Sequence, residues 1–520
     1  MARKLKARLR ITGHLVAVSP LRVGGIGSAW EVGLARNGQG KWYIPGTSLA
    51  GAMRQWMKSV GLGSEADDYW GPDQAETAAH VYVDDVPALD EVVPEVRDGV
   101  GIDRQWGVAA PHVRYTFAAL PRGTRFALSM LVELPEGQEA NFRALTGSLL
   151  RAMQEEKVSF GALKSRGMGI LRLERDVEIL EQRMDRFEGV LAWLRDGGHR
   201  TPLESLGTKS YDSKRLKITI KWHPDGPLLV KAGQEGFAVD ILPLVAHRGP
   251  QELSCVLPGT SLKGVLRCQA ERIVRTVLDL PLPETADSRR RFLGQIESVP
   301  LVDCLFGVPK PPEKSNGREE EGGNHSSKPF GQGWQGALQV SDCLAQPQWR
   351  SQDWLQMTMT SDEATLQKML DTPAFRGLQH AFHVAVDRWT GGAASGMLYS
   401  VLEPHGWQWE DLRLTLDWNR VPQESRLPAL ALLLLLLAHL REGWLAFGYG
   451  GNRGLGAVEV ETISLDGDFP EELEIGDDGQ LREFSSLAAV PERLMKQVRD
   501  SWRQWQAAHK HVVGGVLSGS

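Results

Sequence analysis

Two glycine-rich segments carry residue types that could hold an anion. Residues 160–169 read FGALKSRGMG and residues 447–456 read FGYGGNRGLG. Glycine turns let backbone N–H groups converge on a phosphate. Lys164 and Arg166 in the first segment, and Arg453 in the second, add positive charge beside Gly167 and Gly454. A plain helix-to-strand turn uses the same glycines, so one copy would carry little. Two copies with cations in place point to a phosphodiester backbone. A second candidate is PGTS, at 45–48 and 258–261. Pro and Gly make a turn and Thr or Ser caps a helix. The first-turn N–H groups at Ser48 and Ser261 are then expected to be free for an anion. Arg54 and Arg267 follow one to two turns along, and Lys263 joins them only in the second copy, where the first has Ala50. An arginine on a helix is usually solvated; duplication is what singles these out. Such contacts set register on a nucleic acid and read no sequence.

The elements that position these groups also recur, in the same order. Residues 44–54 (IPGTSLAGAMR) match 257–267 (LPGTSLKGVLR) at an offset of 213. Asp103-Arg104-Gln105-Trp106-Gly107 matches Asp387-Arg388-Trp389-Thr390-Gly391 at 284, and the glycine-rich segments match at 287. The chain therefore holds two copies of one domain, the second longer between its first and second motifs. Residues 309–333, rich in Pro, Gly, Ser and Glu, read as a mobile surface loop within that extra length. Each copy opens with period-two alternation, Leu9 and Ile11 or Leu216, Ile218 and Ile220, which predicts a strand. The PGTS helix follows, with Leu49, Ala52, Met53 and Trp56 on one face in the first copy. Alternating strands come next, then a helix over 142–155 or 427–444, the glycine-rich loop, and a last strand over 170–173 or 457–460. Strand, helix, strands, helix, strand is a ferredoxin-like arrangement, the topology of the RRM sheet. The boundaries expected are 1–212 for the first domain, 213–470 for the second with an insertion at about 280–345, and 471–520 for a C-terminal tail.

Composition bounds the rest. A chain of 520 residues has room for two or three domains of about 150 residues. Apolar residues at 42% and charged residues at 24% exclude global disorder and fibrous repeats. Four cysteines, at 255, 268, 304 and 343, form no CxxC pair, so neither a disulfide scaffold nor a zinc knuckle is expected, and a reducing cytoplasm is. The N-terminus lacks the apolar core of a secretory signal. The run 427–440, LPALALLLLLLAHL, falls short of the ~20 residues of a bilayer span and reads as a buried helix. Net charge is −6, but residues 454–481 hold nine acidic groups and no Lys or Arg, so a basic stripe elsewhere can still meet RNA.

PGTSLKG before an amphipathic helix, a DRxTG-like segment and a terminal FGxxxxRGxG loop together resemble the RAMP superfamily of CRISPR-associated proteins. The likeness covers about 7–175 and 214–462. It is greatest to the backbone subunits of type III effector complexes, and two fused copies are similar to the fused subunits of type III-D or III-E. The resemblance implies an α+β fold of two tandem ferredoxin-like (modified RRM) domains, each with a thumb hairpin. It implies guide RNA (crRNA), target single-stranded RNA and other RAMP subunits as partners, in the cytoplasm and with no membrane. The segments 102–113 and 386–398 match the thumbs, where Trp106 and Trp389, flanked by Arg104 and Arg388, are placed to wedge or stack on bases.

Catalysis is also implied by the resemblance. Target-cleaving members carry an acidic residue in the loop between the first strand and the PGTS helix. Asp240 matches in the second copy, with His247 in the same loop expected to assist. Glu31 stands there in the first copy, one methylene longer than the family pattern. The implied reaction is attack of the target's own 2′-hydroxyl on the adjacent phosphorus, with Mg²⁺ or Mn²⁺ held at Asp240. Asp and Glu in a surface loop are more often solvated. The competing readings are a scaffold with the same RNA contacts and no chemistry, and a RAMP endoribonuclease processing precursor guide RNA without metal. A generic RRM protein is more remote, since RNP1-type aromatic runs are absent.

Overall fold

Alternation builds the first element. In β1 (Leu5–Ala17), Ala7, Leu9, Ile11, Leu15 and Ala17 are buried on one face. The computed structural model describes residues 4–24, 33–72, 78–211, 213–282, 285, 287–296, 299–308, 334–473, 483–484 and 489–516. The expected loop at 309–333 and the candidate Glu31 lie outside the described residues.

Helix α1 (Gly46–Ser59) presses Leu49, Met53, Trp56 and Met57 onto that face. There follow β2 (Val81–Val83), a long hairpin of β3 (Glu95–Ile102) and β4 (Ala109–Ala119), then β5 (Arg125–Pro135), α2 (Glu139–Gln154), β6 (Leu171–Leu173) and β7 (Glu178–Arg183). β1 is central. It pairs antiparallel with β5 on one side and with β6 and β7 on the other, and β5 pairs with β2. The order β7–β1–β5–β2 is that of a ferredoxin-like palm.

The second copy repeats this with β8 (Arg215–Pro224), an added hairpin of β9 (Val245–Gly249) and β10 (Glu252–Leu257), α3 (Gly259–Leu278), α4 (Ser288–Gln295) and β11 (Leu338–Val340). The hairpin β12 (Leu378–Val386) and β13 (Ala393–Pro404) precedes β14 (Leu412–Asp417), α5 (Arg426–Arg441) and β15 (Val458–Gly467). The palm order is β15–β8–β14–β11. The apolar run 427–440 is α5. With the turn before it, Gln423–Arg441 has the length and composition of a membrane span, but Leu430, Leu432, Leu433, Leu434, Leu436, Leu437 and Leu440 are buried in the second core.

Three expectations need revision. The insertion placed at about 280–345 includes β11, a palm strand three residues long, too short to show alternation. Val83 and Val340 lie at an offset of 257, between the 213 of the helix and the 284 of the hairpin turn, so extra residues enter on both sides of β11. The tail beyond 470 contains helix α6 (Glu492–Val516), which sets Leu494, Val498 and Trp505 against α5 and α3. The N-caps of α1 and α3 are Pro45 and Pro258 rather than Ser or Thr, and neither cap has a side-chain hydrogen bond.

Candidate nucleic-acid interface

Each hairpin projects from its palm between the second and third palm strands. Their turns are shaped by one aspartate apiece. The Asp103 carboxylate accepts the N–H groups of Gln105 (2.9 Å) and Trp106 (3.1 Å). Asp387 accepts those of Trp389 (2.9 Å) and Thr390 (2.8 Å), which holds its carboxyl below the usual range. Trp106 is 62% exposed and Trp389 is 96% exposed, so neither is core packing. Arg388 is exposed as well. Arg104 is turned away into an ion pair with Glu271.

The glycine-rich loops share one backbone course. Lys164–Arg166 and Gly451–Arg453 each form a single 3₁₀ turn, entered and left through left-handed residues, Leu163 and Gly167 or Gly450 and Gly454. Phe160 N–H donates to the Gly169 carbonyl (2.7 Å) and Phe447 N–H to that of Gly456 (2.9 Å), closing each loop. At Gly161 a Cβ would lie 2.3 Å from the Arg22 carbonyl, and at Gly448 2.2 Å from that of Leu229. Glycine is therefore required where each loop crosses the chain leaving the first palm strand. Arg166 Nη1 donates to the Tyr115 hydroxyl (2.7 Å). Arg453 Nη1 donates to the hydroxyls of Tyr399 and Tyr449. Burial and the adjacent Tyr449 hold the Tyr399 phenol above its ordinary value. Tyr115 and Tyr399 lie on β4 and β13 at the same offset as the Asp-Arg turns. That shared offset was a signal in the sequence that motif reading passed over.

Asp240 sits at the foot of the second hairpin. Its Oδ2 accepts the Ser400 N–H (2.7 Å) and hydroxyl (3.1 Å), and its own N–H donates to Ser400 Oγ (3.1 Å). Ser400 is buried while Asp240 stays exposed; Ser400 follows Tyr399 of the Tyr399–Arg453 pair on β13. His383 stacks on Tyr399 with ring centroids 5.4 Å apart and bonds Glu403 at 2.8 Å. Neither His383 nor Glu403 was expected. His247, expected beside Asp240, is in β9 and engages Glu95 of the first hairpin at 3.2 Å. In the first copy Thr116, at the place of Ser400, donates to Asp98 (2.6 Å).

The PGTS helices hold no open anion site at the expected groups. Ser48 and Ser261 N–H donate to the carbonyls of Pro45 and Pro258, each at 2.9 Å. The Gly46 N–H is taken by Asp85 (2.9 Å) and the Gly259 N–H by Asp342 (2.8 Å), carboxylates that complement the helix N-terminus from within. Arg54 pairs with Asp67 (2.8 Å) and Arg267 with Glu271 (2.7 Å). Lys263 is buried, donating to the carbonyls of Ser165 (3.0 Å) and Leu338 (2.7 Å). Burial, with Arg166 and Arg267 nearby, pulls its ammonium down to about 7. The pairs of Arg54 and Arg267 stay within their own copies, and Lys263 joins the two through Ser165. Gly167 is buried in the same joint, where a Cβ would meet the Val340 carbonyl at 2.3 Å. Buried Arg97 completes it, bridging Glu95 (2.8 Å) and Asp342 (2.6 Å). Lys164 lines a polar cleft between the copies with Lys157, Arg215 and Arg420. Burial and Arg420 lower the Lys164 ammonium below its ordinary value.

For a metal, Asp240 is a single carboxylate. Among the described residues, the three-residue group with convergent ligand atoms is His14, Glu174 and Asp176, on β1 and the turn after β6. Glu174 there is also engaged by Arg125 at 3.0 Å.

Two palms, each with a hairpin latched by tyrosine and arginine to a glycine loop, define a tandem RRM-like protein of the kind that presents a sheet to RNA. The family model of the RAMP superfamily matches residues 14–172 and 225–459, and the chain belongs to that family. Its membership makes it a CRISPR-associated RNA-binding subunit, with RNA and other effector subunits as partners. Helix α6 lies outside both matched regions. No curated protein matches the chain.

Proposed function

We propose that the protein is a guide-RNA-binding backbone subunit of a type III CRISPR effector complex, and that it cleaves bound target RNA at Asp240. The observation that supports this reading most is the position of Asp240, exposed and hydrogen-bonded to Ser400, the residue that follows the latch's Tyr399 on the hairpin. The exposed Arg453 supplies charge for a phosphate, and Trp106 and Trp389 at the turns supply faces on which displaced bases stack. A nucleotide displaced from the duplex lets its 2′-oxygen line up with the scissile phosphorus. The 2′-O–P bond forms as the P–O5′ bond breaks. Asp240 takes the 2′ proton, and the departing 5′ oxygen is protonated from water. The products are a 2′,3′-cyclic phosphate and a 5′-hydroxyl.

An exposed carboxylate suits Mg²⁺ or Mn²⁺, which bind through one or two carboxylates with phosphate oxygens and water. As the alternative to taking the 2′ proton, Asp240 is the residue assigned to hold the ion, which would neutralise charge on the phosphate. Glu31 is proposed for the same part in the first copy. A scaffold reading draws on the same Asp240–Ser400 hydrogen bonds, which would serve to fix the loop to the hairpin. Asp240→Ala in the reconstituted complex separates the two: loss of cleavage with guide and target RNA still bound supports catalysis, and unchanged cleavage supports the scaffold.

A further inference from the structure

The cleft between the copies holds more positive charge than its own carboxylate answers. One wall is the first copy, with Gln55 and Ser59 on α1 beside Lys157 and Lys164. The other is the helix-free face of the second palm. There Arg215 on β8, Gln339 on β11 and Thr415 on β14 alternate with residues buried in the core. Asn419 Nδ2 donates to the Ser59 carbonyl (2.9 Å) and ties the walls together. The cavity volume is about 60 Å³, several times what one water needs. Among the described residues, Lys157, Lys164, Arg215 and Arg420 line it against a single carboxylate, Asp417. Two of the four cations are satisfied. Lys157 pairs with Glu155 (2.6 Å) and bonds the Tyr211 hydroxyl (3.2 Å). Arg420 takes Asp417 and the Gln335 amide oxygen, both at 3.3 Å. The side chains of Lys164 and Arg215 have no hydrogen bond or ion pair among the described residues.

The duplication shows what these two lack. In the first palm Arg8 stands opposite Glu133 and donates to it at 3.1 Å. Arg215 stands opposite Asp417 in the second palm, but that carboxylate is engaged by Arg420 and by the Asn419 N–H (3.2 Å). Burial outweighs the nearby Asp417 and holds the Arg215 guanidinium below its ordinary value. Lys164 has no counterpart at all. At the offset of 287 the second loop has Gly451, while the latch arginine is kept as Arg166 and Arg453. The two free cations therefore belong to this one joint and not to the repeated latch. Partly buried charge without a counter-ion is costly, and a bound anion offsets the cost. We infer that the cleft binds one free tetrahedral oxyanion, inorganic phosphate, between Lys164 of the first copy and Arg215 of the second. The guanidinium supplies a planar fork of donors and the ammonium a point charge. Thr415 and Gln339 add neutral donors from the sheet. The anion then cements the two copies.

The inference goes beyond RNA binding or cleavage, and its first test needs no RNA. Inorganic phosphate is titrated by calorimetry into the full chain, purified free of RNA, at constant ionic strength in chloride. One saturable site per chain is expected. Lys164→Ala and Arg215→Gln are each expected to weaken it at least tenfold. The loop around Gly451 takes the same course without a side chain, so Lys164→Ala keeps its backbone. No saturable heat, or the same affinity in both variants, overturns the inference. A phosphate of the guide RNA has the same chemistry, so the titration is repeated on the chain loaded with guide RNA. The site is expected to remain; its loss would put an RNA phosphate in the cleft and overturn the free anion. Thermal midpoints give a second readout. Phosphate should raise that of the wild type more than that of either variant. An equal rise in all three is the general effect of an excluded salt and overturns the inference.

Discussion

The Arg453 guanidinium donates to the Tyr399 hydroxyl, and Arg166 makes the same bond to Tyr115 at 2.7 Å in the other copy. A glycine loop after the last helix is thereby tied to a strand of the hairpin, twice over. If Arg453 also contacts a phosphate, Arg453→Ala lowers the slope of log affinity against log salt for guide RNA by about 0.7. A filter-binding series from low to physiological salt reads it. Tyr399→Phe keeps the ring and removes the bond, so its expected cost is about 1 kcal/mol of stability with the salt slope unchanged.

Asp240→Asn keeps size and hydrogen-bonding shape while removing the base. Target cleavage at the second copy's site is expected to fall by roughly 10²–10⁴, the usual worth of a positioned general base. Single-turnover cleavage of end-labelled target RNA measures it. A residual rate equal to wild type removes Asp240 from the chemistry.

Lys263 makes stability depend on pH. Its ammonium titrates near 7 when folded against 10.5 ordinarily. Between those values the unfolded chain keeps a proton that the folded chain has released, so stability rises with pH across the window. Below about 7 both states are protonated and the burial cost is constant. A neutral amine still has two N–H donors for the two carbonyls it meets. Thermal midpoints of wild type and Lys263→Met, compared from pH 7 to 9.5, should converge or cross, with the slope lost in the variant.

The two glycines of PGTSLKG predict opposite outcomes. At Gly259 a Cβ would stand 2.2 Å from the Val340 carbonyl, a backbone atom that cannot retreat. Gly259→Ala is expected to destabilise by about 1–3 kcal/mol. At Gly264, in the interior of α3, a Cβ meets nothing within 4 Å. Gly264→Ala should stabilise by roughly 0.5–1 kcal/mol through helix propensity. Denaturant midpoints at fixed m distinguish them.

Arg97 holds the joint by charge. Truncation leaves Glu95 and Asp342 in a buried site without their counter-ion. Arg97→Ala is expected to cost about 3–5 kcal/mol. Limited proteolysis should then cut between the copies sooner, with each palm still protected.

The duplication, the palms and the glycine loops were legible from residue order, because period-two and helical patterns and glycine turns act within a few positions; the hairpins entered through the family resemblance. The α6 helix lies beyond the duplicated motifs on which the reading rested, and β11 was hidden by its brevity. The roles of Ser48, Ser261, Arg54, Arg267 and Lys263 were decided by tertiary structure alone. Whether a helix start is an open anion site depends on a carboxylate 39 residues away, as Asp85 is from Gly46. Whether an arginine is solvated depends on one 167 away, as Glu271 is from Arg104. Charge pairing and burial act through space, and such distances in the chain leave no local pattern to read.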